Sequence, residues 1–69
     1  MNGNPVKLNP PNRSRTYYFA NGGYVTLKDV TELIVQDSGT HRLKTGDGKF
    51  HIIPSGWIHI ELDIDGWQV

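Results

Sequence analysis

Trp57-Ile58-His59-Ile60-Glu61-Leu62-Asp63-Ile64 places Ile58, Ile60, Leu62 and Ile64 on one side of an extended chain and Trp57, His59, Glu61 and Asp63 on the other. Successive side chains of a strand point to opposite faces, so strict alternation marks a strand with one buried and one wet face. The stretch therefore predicts a β domain with an aliphatic core face. It carries no signature of an activity.

Upstream, turn signals recur at short intervals. Asn21-Gly22 is a strong hairpin dipeptide, because a type I′ turn needs two residues that tolerate positive φ. It separates Tyr17-Tyr18-Phe19-Ala20 from Tyr24-Val25-Thr26-Leu27. Asp37-Ser38-Gly39 fits a three-residue loop with glycine in the left-handed position, Asp47-Gly48 a two-residue turn, and Asp65-Gly66 a further turn. Several short strands punctuated in this way predict an antiparallel meander that curls into a barrel or sandwich.

These turns imply registers. The loop at 37–39 sets Leu33 opposite Leu43 and Val35 opposite His41. A two-residue turn at Asp47-Gly48 sets Thr45 opposite Phe50 and Leu43 opposite Ile52, leaving Arg42, Lys44, His51 and Ile53 on the other face. The turn at Asp65-Gly66 sets Ile64 opposite Trp67 and Leu62 opposite Val69. Each pairing gathers apolar groups on one face, as a specified register requires. The expected core is Leu33, Val35, Leu43, Phe50, Ile52, Ile58, Ile60, Leu62, Ile64 and Trp67.

Residues 27–36 read two ways. Thr26-Leu27-Lys28-Asp29 resembles a capping box, and Leu27, Val30, Leu33 and Ile34 fall at helical spacing. The β-branched Val30, Thr31, Ile34 and Val35 favour a strand. The expectation is a bend near Lys28-Asp29 followed by a strand at 31–36; a short helix at 27–36, making the class α+β, is the alternative.

Residues 1–14 hold Asn2, Asn4, Asn9 and Asn12 with Pro5, Pro10 and Pro11, and only Val6 and Leu8 as aliphatics. Proline removes donors and prefers extended backbone. This segment is expected as a flexible arm on a single small domain at 15–69.

At 69 residues the chain supports one modest core. It contains no cysteine, which excludes disulfides and thiolate metal sites and fits a cytoplasmic protein. Seven Lys and Arg balance seven Asp and Glu. That balance removes the global field expected of a dedicated nucleic-acid binder and leaves a homodimer through a strand edge as an expectation. No apolar run is long enough to span a membrane.

The residues that carry chemistry form no compact motif. His41, His51 and His59 lie on different strands without metal-ligand spacing, so no metal and no cofactor is expected. Ser14, Ser38 and Ser55 lack a nucleophile-elbow context, and Asp63 with Asp65 lacks a cleft to separate two carboxyl pKa values. Gly46-Asp47-Gly48-Lys49 lacks phosphate-loop spacing and a following helix. A non-enzymatic protein is the expectation.

Two binding surfaces remain. Trp57, flanked by His59 and Glu61 on the wet face, has the composition of a protein-interface anchor. Arg42, Lys44, Lys49 and His51 could line a single-strand nucleic-acid surface, with Tyr17, Phe19 and Tyr24 as a stacking platform and Lys7, Arg13 and Arg15 extending the charge. The first expectation is a non-catalytic protein-interaction module, such as an accessory protein of a phage or mobile element. The alternative is a single-stranded nucleic-acid-binding small β-barrel.

Ile52-Ile53-Pro54-Ser55-Gly56-Trp57-Ile58 resembles the Pro-Ser-aromatic stretch before the last strand of SH3 domains. The resemblance implies a small SH3-like barrel. It ends there, because no acidic loop with the SH3 aromatic pattern precedes it and no adjacent Trp-Trp pair follows. It says nothing of a ligand, since such barrels host many functions.

Overall fold

The computed structural model describes residues 5–64. They form five antiparallel strands: β1 (Val6–Phe19), β2 (Tyr24–Val35), β3 (His41–Thr45), β4 (Phe50–Ile53) and β5 (Trp57–Asp63). The order in the single sheet is β4-β3-β2-β1-β5. β1 to β4 make the expected meander and β5 returns to lie against β1. The edge strands β4 and β5 do not pair, so the sheet is open and not the closed barrel that the SH3 resemblance implies. No helix forms at 27–36; residues 27–35 continue β2.

Three hairpins share one loop design. Gly22, Gly39 and Gly48 each take a positive φ of 83–89°. Each donates its N–H to the carbonyl three residues back, on Phe19, Gln36 and Thr45 respectively. The same three residues donate to Gly23, Thr40 and Lys49 at 2.9–3.0 Å. This is the three-residue loop closed by a glycine bulge, whose left-handed third residue glycine supplies without a Cβ clash. The loop at 37–39 is as expected, and with it the pairs Leu33↔Leu43 and Val35↔His41.

The first loop, Ala20-Asn21-Gly22, holds three residues and not the two-residue type I′ turn expected at Asn21-Gly22, since only Gly22 takes a positive φ. The third loop corrects the sequence reading further. It spans Gly46-Asp47-Gly48 and so holds three residues, not two. Lys44 therefore pairs with Phe50, Leu43 with His51 and Arg42 with Ile52. A one-residue slip moves every side chain of the strand to the other face. Ile53 and His51 turn inward beside Leu43, while Phe50 and Ile52 turn outward and are 77% and 64% exposed.

β2 bends where expected. Asp29 has a φ of 57°, and its carbonyl accepts the Gly46 N–H at 2.8 Å. Gly46 lies so close that a methyl group there would overlap the Asp29 carboxylate. An irregularity between Val30 and Glu32 adds to the bend, because an extra residue on one strand increases its local twist.

β5 carries a second irregularity. Tyr18 pairs with His59 but Phe19 pairs with Trp57, so Ile58 is passed over. Trp57 is thereby turned to the core side, and Ile58 is left 68% exposed. The alternation that predicted Trp57 on the wet face holds only from His59 onward.

The buried apolar residues are Tyr17, Leu27, Val30, Leu43 and Ile53, with Leu8, Phe19, Leu33, Trp57 and Ile60 packed against them half-buried. Of the expected core, Leu43 is fully buried, Leu33, Ile60 and Ile64 are half-buried, and Val35, Phe50, Ile52, Ile58 and Leu62 are exposed. The expected turn at Asp65-Gly66 and the positions of Trp67 and Val69 lie outside the described residues. The expected arm enters β1 at Val6, so the boundary drawn at Arg15 falls inside a strand. Val6 and Lys7 pair with Leu33 and Glu32, and Asn12 with Val30. The irregularity between Lys7 and Asn12 takes in the cis Asn9-Pro10 bond.

Candidate functional site

The inner face holds a chain of polar side chains. The Arg15 guanidinium donates from Nε to the Tyr17 hydroxyl at 2.8 Å and from a terminal nitrogen to Asn12 Oδ1 at 3.1 Å. Tyr17 Oη and His41 Nδ1 lie 2.7 Å apart. Because arginine can only donate, the tyrosine oxygen accepts from it. The same hydroxyl shares a hydrogen bond with His41 Nδ1, whose direction follows the imidazole tautomer. Burial lowers the His41 pKa, and the Arg15 charge lowers it further. Burial raises that of Tyr17, with the Arg15 hydrogen bond and charge opposing.

Trp57 closes this network. Its ring lies 5.1 Å from His41 and 6.2 Å from Tyr17 between centroids, the latter edge-on. Its buried Nε1 has no hydrogen-bond partner among the described residues. Trp57 is thus a packing residue of the inner face and not the exposed anchor that the sequence suggests. Tyr17, expected in a stacking platform, is fully buried and shares that role.

The outer face divides into two patches at opposite edges of the sheet. Beside β5, His59, Glu61 and Asp63 project as expected, next to β1 and β2. Tyr18 donates to Glu61 at 3.0 Å, which raises the tyrosine pKa, and its ring packs against Tyr24 and His59. Arg13 pairs with Asp63 at 2.9 Å. These polar groups engage one another.

Beside β4, the flip of the hairpin has built a different surface. Arg42 and Lys44 of β3 project outward next to Ile52 and Phe50, their cross-strand partners. The Lys44 ammonium stands 5.9 Å from the Phe50 ring centroid, in reach of the negative ring face. It also lies 3.6 Å from Glu32. Pro5, Ile34, Arg42, Lys44, Phe50 and Ile52 line a groove of about 390 Å³. Lys49 is exposed just before β4. Asp47 is turned into its own loop, where bonds from Thr45 and the Lys49 amide hold its carboxyl below the usual range.

The four residues expected on a basic face therefore separate. Arg42 and Lys44 stay together, whereas Lys49 pairs with Thr45 and His51 with Leu43 on the inner side, the His51 Nε2 3.2 Å from Thr45 Oγ1. Among the described residues no three His, Asp or Glu side chains assemble as a metal-ligand set, and no helix is long and apolar enough to cross a membrane. Phe50 and Ile52 were missed because a two-residue turn hides them. The signal that finds them is the shared spacing of the three loops, each ending on glycine before the strand resumes. Compared with known protein families, characterised proteins and solved structures, the chain matches none.

Proposed function

We propose that this protein is a non-catalytic interaction module that binds a protein segment over the outer face of β2, β3 and β4. One observation carries the reading. Phe50 and Ile52 stand side by side on an edge strand, 77% and 64% exposed, beside an apolar groove with a basic border. Large exposed apolar groups clustered and rimmed by charge are the mark of a partner surface. The β5 patch of His59 and Glu61 supports the reading less well, since its polar groups already satisfy one another and Trp57 has left it.

A single-stranded nucleic acid on the same face is the second reading, favoured by the Lys44 ammonium over the Phe50 ring. Base stacking on an aromatic within basic residues is the chemistry such binders use. Glu32 in the groove weighs against it.

A displayed library of random peptides, selected on the protein and counter-selected on Phe50→Glu, separates the two. Peptides retained only by the parent support the module. No such peptide, together with salt-sensitive binding of single-stranded oligothymidine, transfers the face to nucleic acid.

A further inference from the structure

We infer, resting on the module reading above, that the partner is an extended acidic segment that adds as an antiparallel strand to the edge of β4, which no strand among the described residues pairs. The hydrogen-bond parity of the third hairpin carries the argument. Thr45 donates to the Lys49 carbonyl, so Thr45 and Lys49 form a hydrogen-bonded pair. In an antiparallel ladder such pairs alternate with non-bonded ones. Leu43 and His51 are then bonded, while Lys44 with Phe50 and Arg42 with Ile52 are not. The backbone N–H and C=O of Phe50 and Ile52 therefore point away from β3, over the edge of the sheet. The same two residues present both the open main-chain groups and the exposed side chains.

β5 is the other edge, but it is a poorer template. Its irregularity at Ile58 interrupts the row of backbone groups, a device that blunts edges. β4 has no such break between Phe50 and Ile53.

Parity also sets the chemistry of the incoming strand. Residues directly opposite Phe50 and Ile52 share their face and aim their own N–H groups at β4. The Lys44 ammonium lies between Glu32, at 3.6 Å, and the Phe50 ring, at 5.9 Å, while Arg42 stands behind Ile52 and supplies the positive charge beyond that pair. Glutamates at those positions lay their methylenes on Phe50 and Ile52 and bring carboxylates to Lys44 and Arg42. The alternate residues face inward beside His51 and the buried Ile53, where aliphatic side chains extend the core. The partner is thus a strand alternating acidic and aliphatic residues. Charge also selects against a second copy: pairing two β4 strands would bring together two sets of Arg42 and Lys44, and like charges disfavour such a contact.

The test uses capped, fluorescein-labelled peptides alternating glutamate with valine or lysine with valine, titrated against the full chain by anisotropy. The glutamate peptide binds and the lysine peptide is weaker by about tenfold or more, a difference that Lys44→Glu reduces. N-methylation of the glutamate nitrogens lowers affinity by about tenfold, while methylation of the valine nitrogens leaves it nearly unchanged. Both modifications stiffen the peptide alike, so their difference reports the hydrogen bonds to β4. Thermal melts establish that Lys44→Glu leaves the fold intact.

Equal loss from both methylations overturns strand addition. Equal binding of the two peptides overturns the acidic partner, and a sedimentation dimer dissociated by Phe50→Glu but not by peptide assigns the edge to a second copy. Library peptides that depend on Phe50 but lack acidic alternation leave the module standing and remove this inference alone. If neither those nor the glutamate peptide bind, both fall.

Discussion

Leu43 and Ile53 belong to the same hairpin as Phe50 and Ile52, yet the first two are 2% and 5% exposed and the second two 77% and 64%. All four are large and apolar, so hydrophobicity does not distinguish them. The residue count of the loop at 46–48 does. With three residues in that loop, Ile53 closes the core beside His41, and Phe50 joins Lys44 on the outside. One side of this hairpin is committed to the core and the other is left exposed.

The sharpest way to break that contrast is Leu43→Ala. A fully buried leucine truncated to alanine costs about 2–5 kcal/mol, through lost transfer energy and the cavity left behind. For a chain of this size that is a large share of the total stability. Denaturant unfolding should show a midpoint far below the parent's; an unchanged midpoint would mean that the faces are exchanged.

Tyr17→Phe tests the polar part of the inner face. It removes the hydroxyl that accepts from Arg15 and is hydrogen-bonded to His41. Leaving buried groups without a partner costs about 1–3 kcal/mol, beyond the small change in volume. A loss below the precision of the unfolding curve would show that water replaces the hydroxyl.

Acid probes the same network more gently. The folded pKa of His41 lies below the 6.5 of the unfolded chain. The unfolded state therefore binds the extra proton first, and stability falls as pH drops below about 6.5 towards the folded value. Tyr17 acts in the opposite range, since its folded pKa is raised above 10.0 and stability declines as pH rises through that value. His41→Gln should flatten the acid limb of a plot of midpoint against pH. An unaltered limb would assign it to the carboxylates.

The smallest effect is expected outside. Ile52→Thr keeps the β-branched shape on an exposed edge and should change stability by no more than about 0.5 kcal/mol. A much larger loss would place Ile52 against the core and overturn the three-residue loop. Together with Leu43→Ala, this variant separates the two faces of one hairpin by unfolding alone.

Much of the fold was legible in the sequence because its signals are local. Asp37-Ser38-Gly39 specifies its loop, and the pairing of Leu33 with Leu43 follows from it. The β-branched run at 30–35 outweighed the helical spacing, and the bend at Asp29 appeared where the pattern of apolar residues broke. The candidate site was less legible. Arg42 and Lys44 were found as a basic pair, but Lys49 and His51 were wrongly grouped with them, and their apolar neighbours Phe50 and Ile52 were assigned to the core. Trp57 was assigned to the surface because alternation was extended through a position where β5 is irregular.

By itself, then, the amino-acid sequence determined the class of the fold, the antiparallel strands and the glycines on which the hairpins turn. These depend on side-chain period and on φ, which neighbouring residues control. Only the tertiary structure decided which face of β4 is buried, which way Trp57 points, and that Arg15, Tyr17 and His41 meet. Each of those outcomes rests on the parity of a strand relative to its partner. A single inserted residue reverses that parity, and whether one is inserted depends on groups far away in the chain: Asp29 under Gly46, and Tyr18 and Phe19 beside β5.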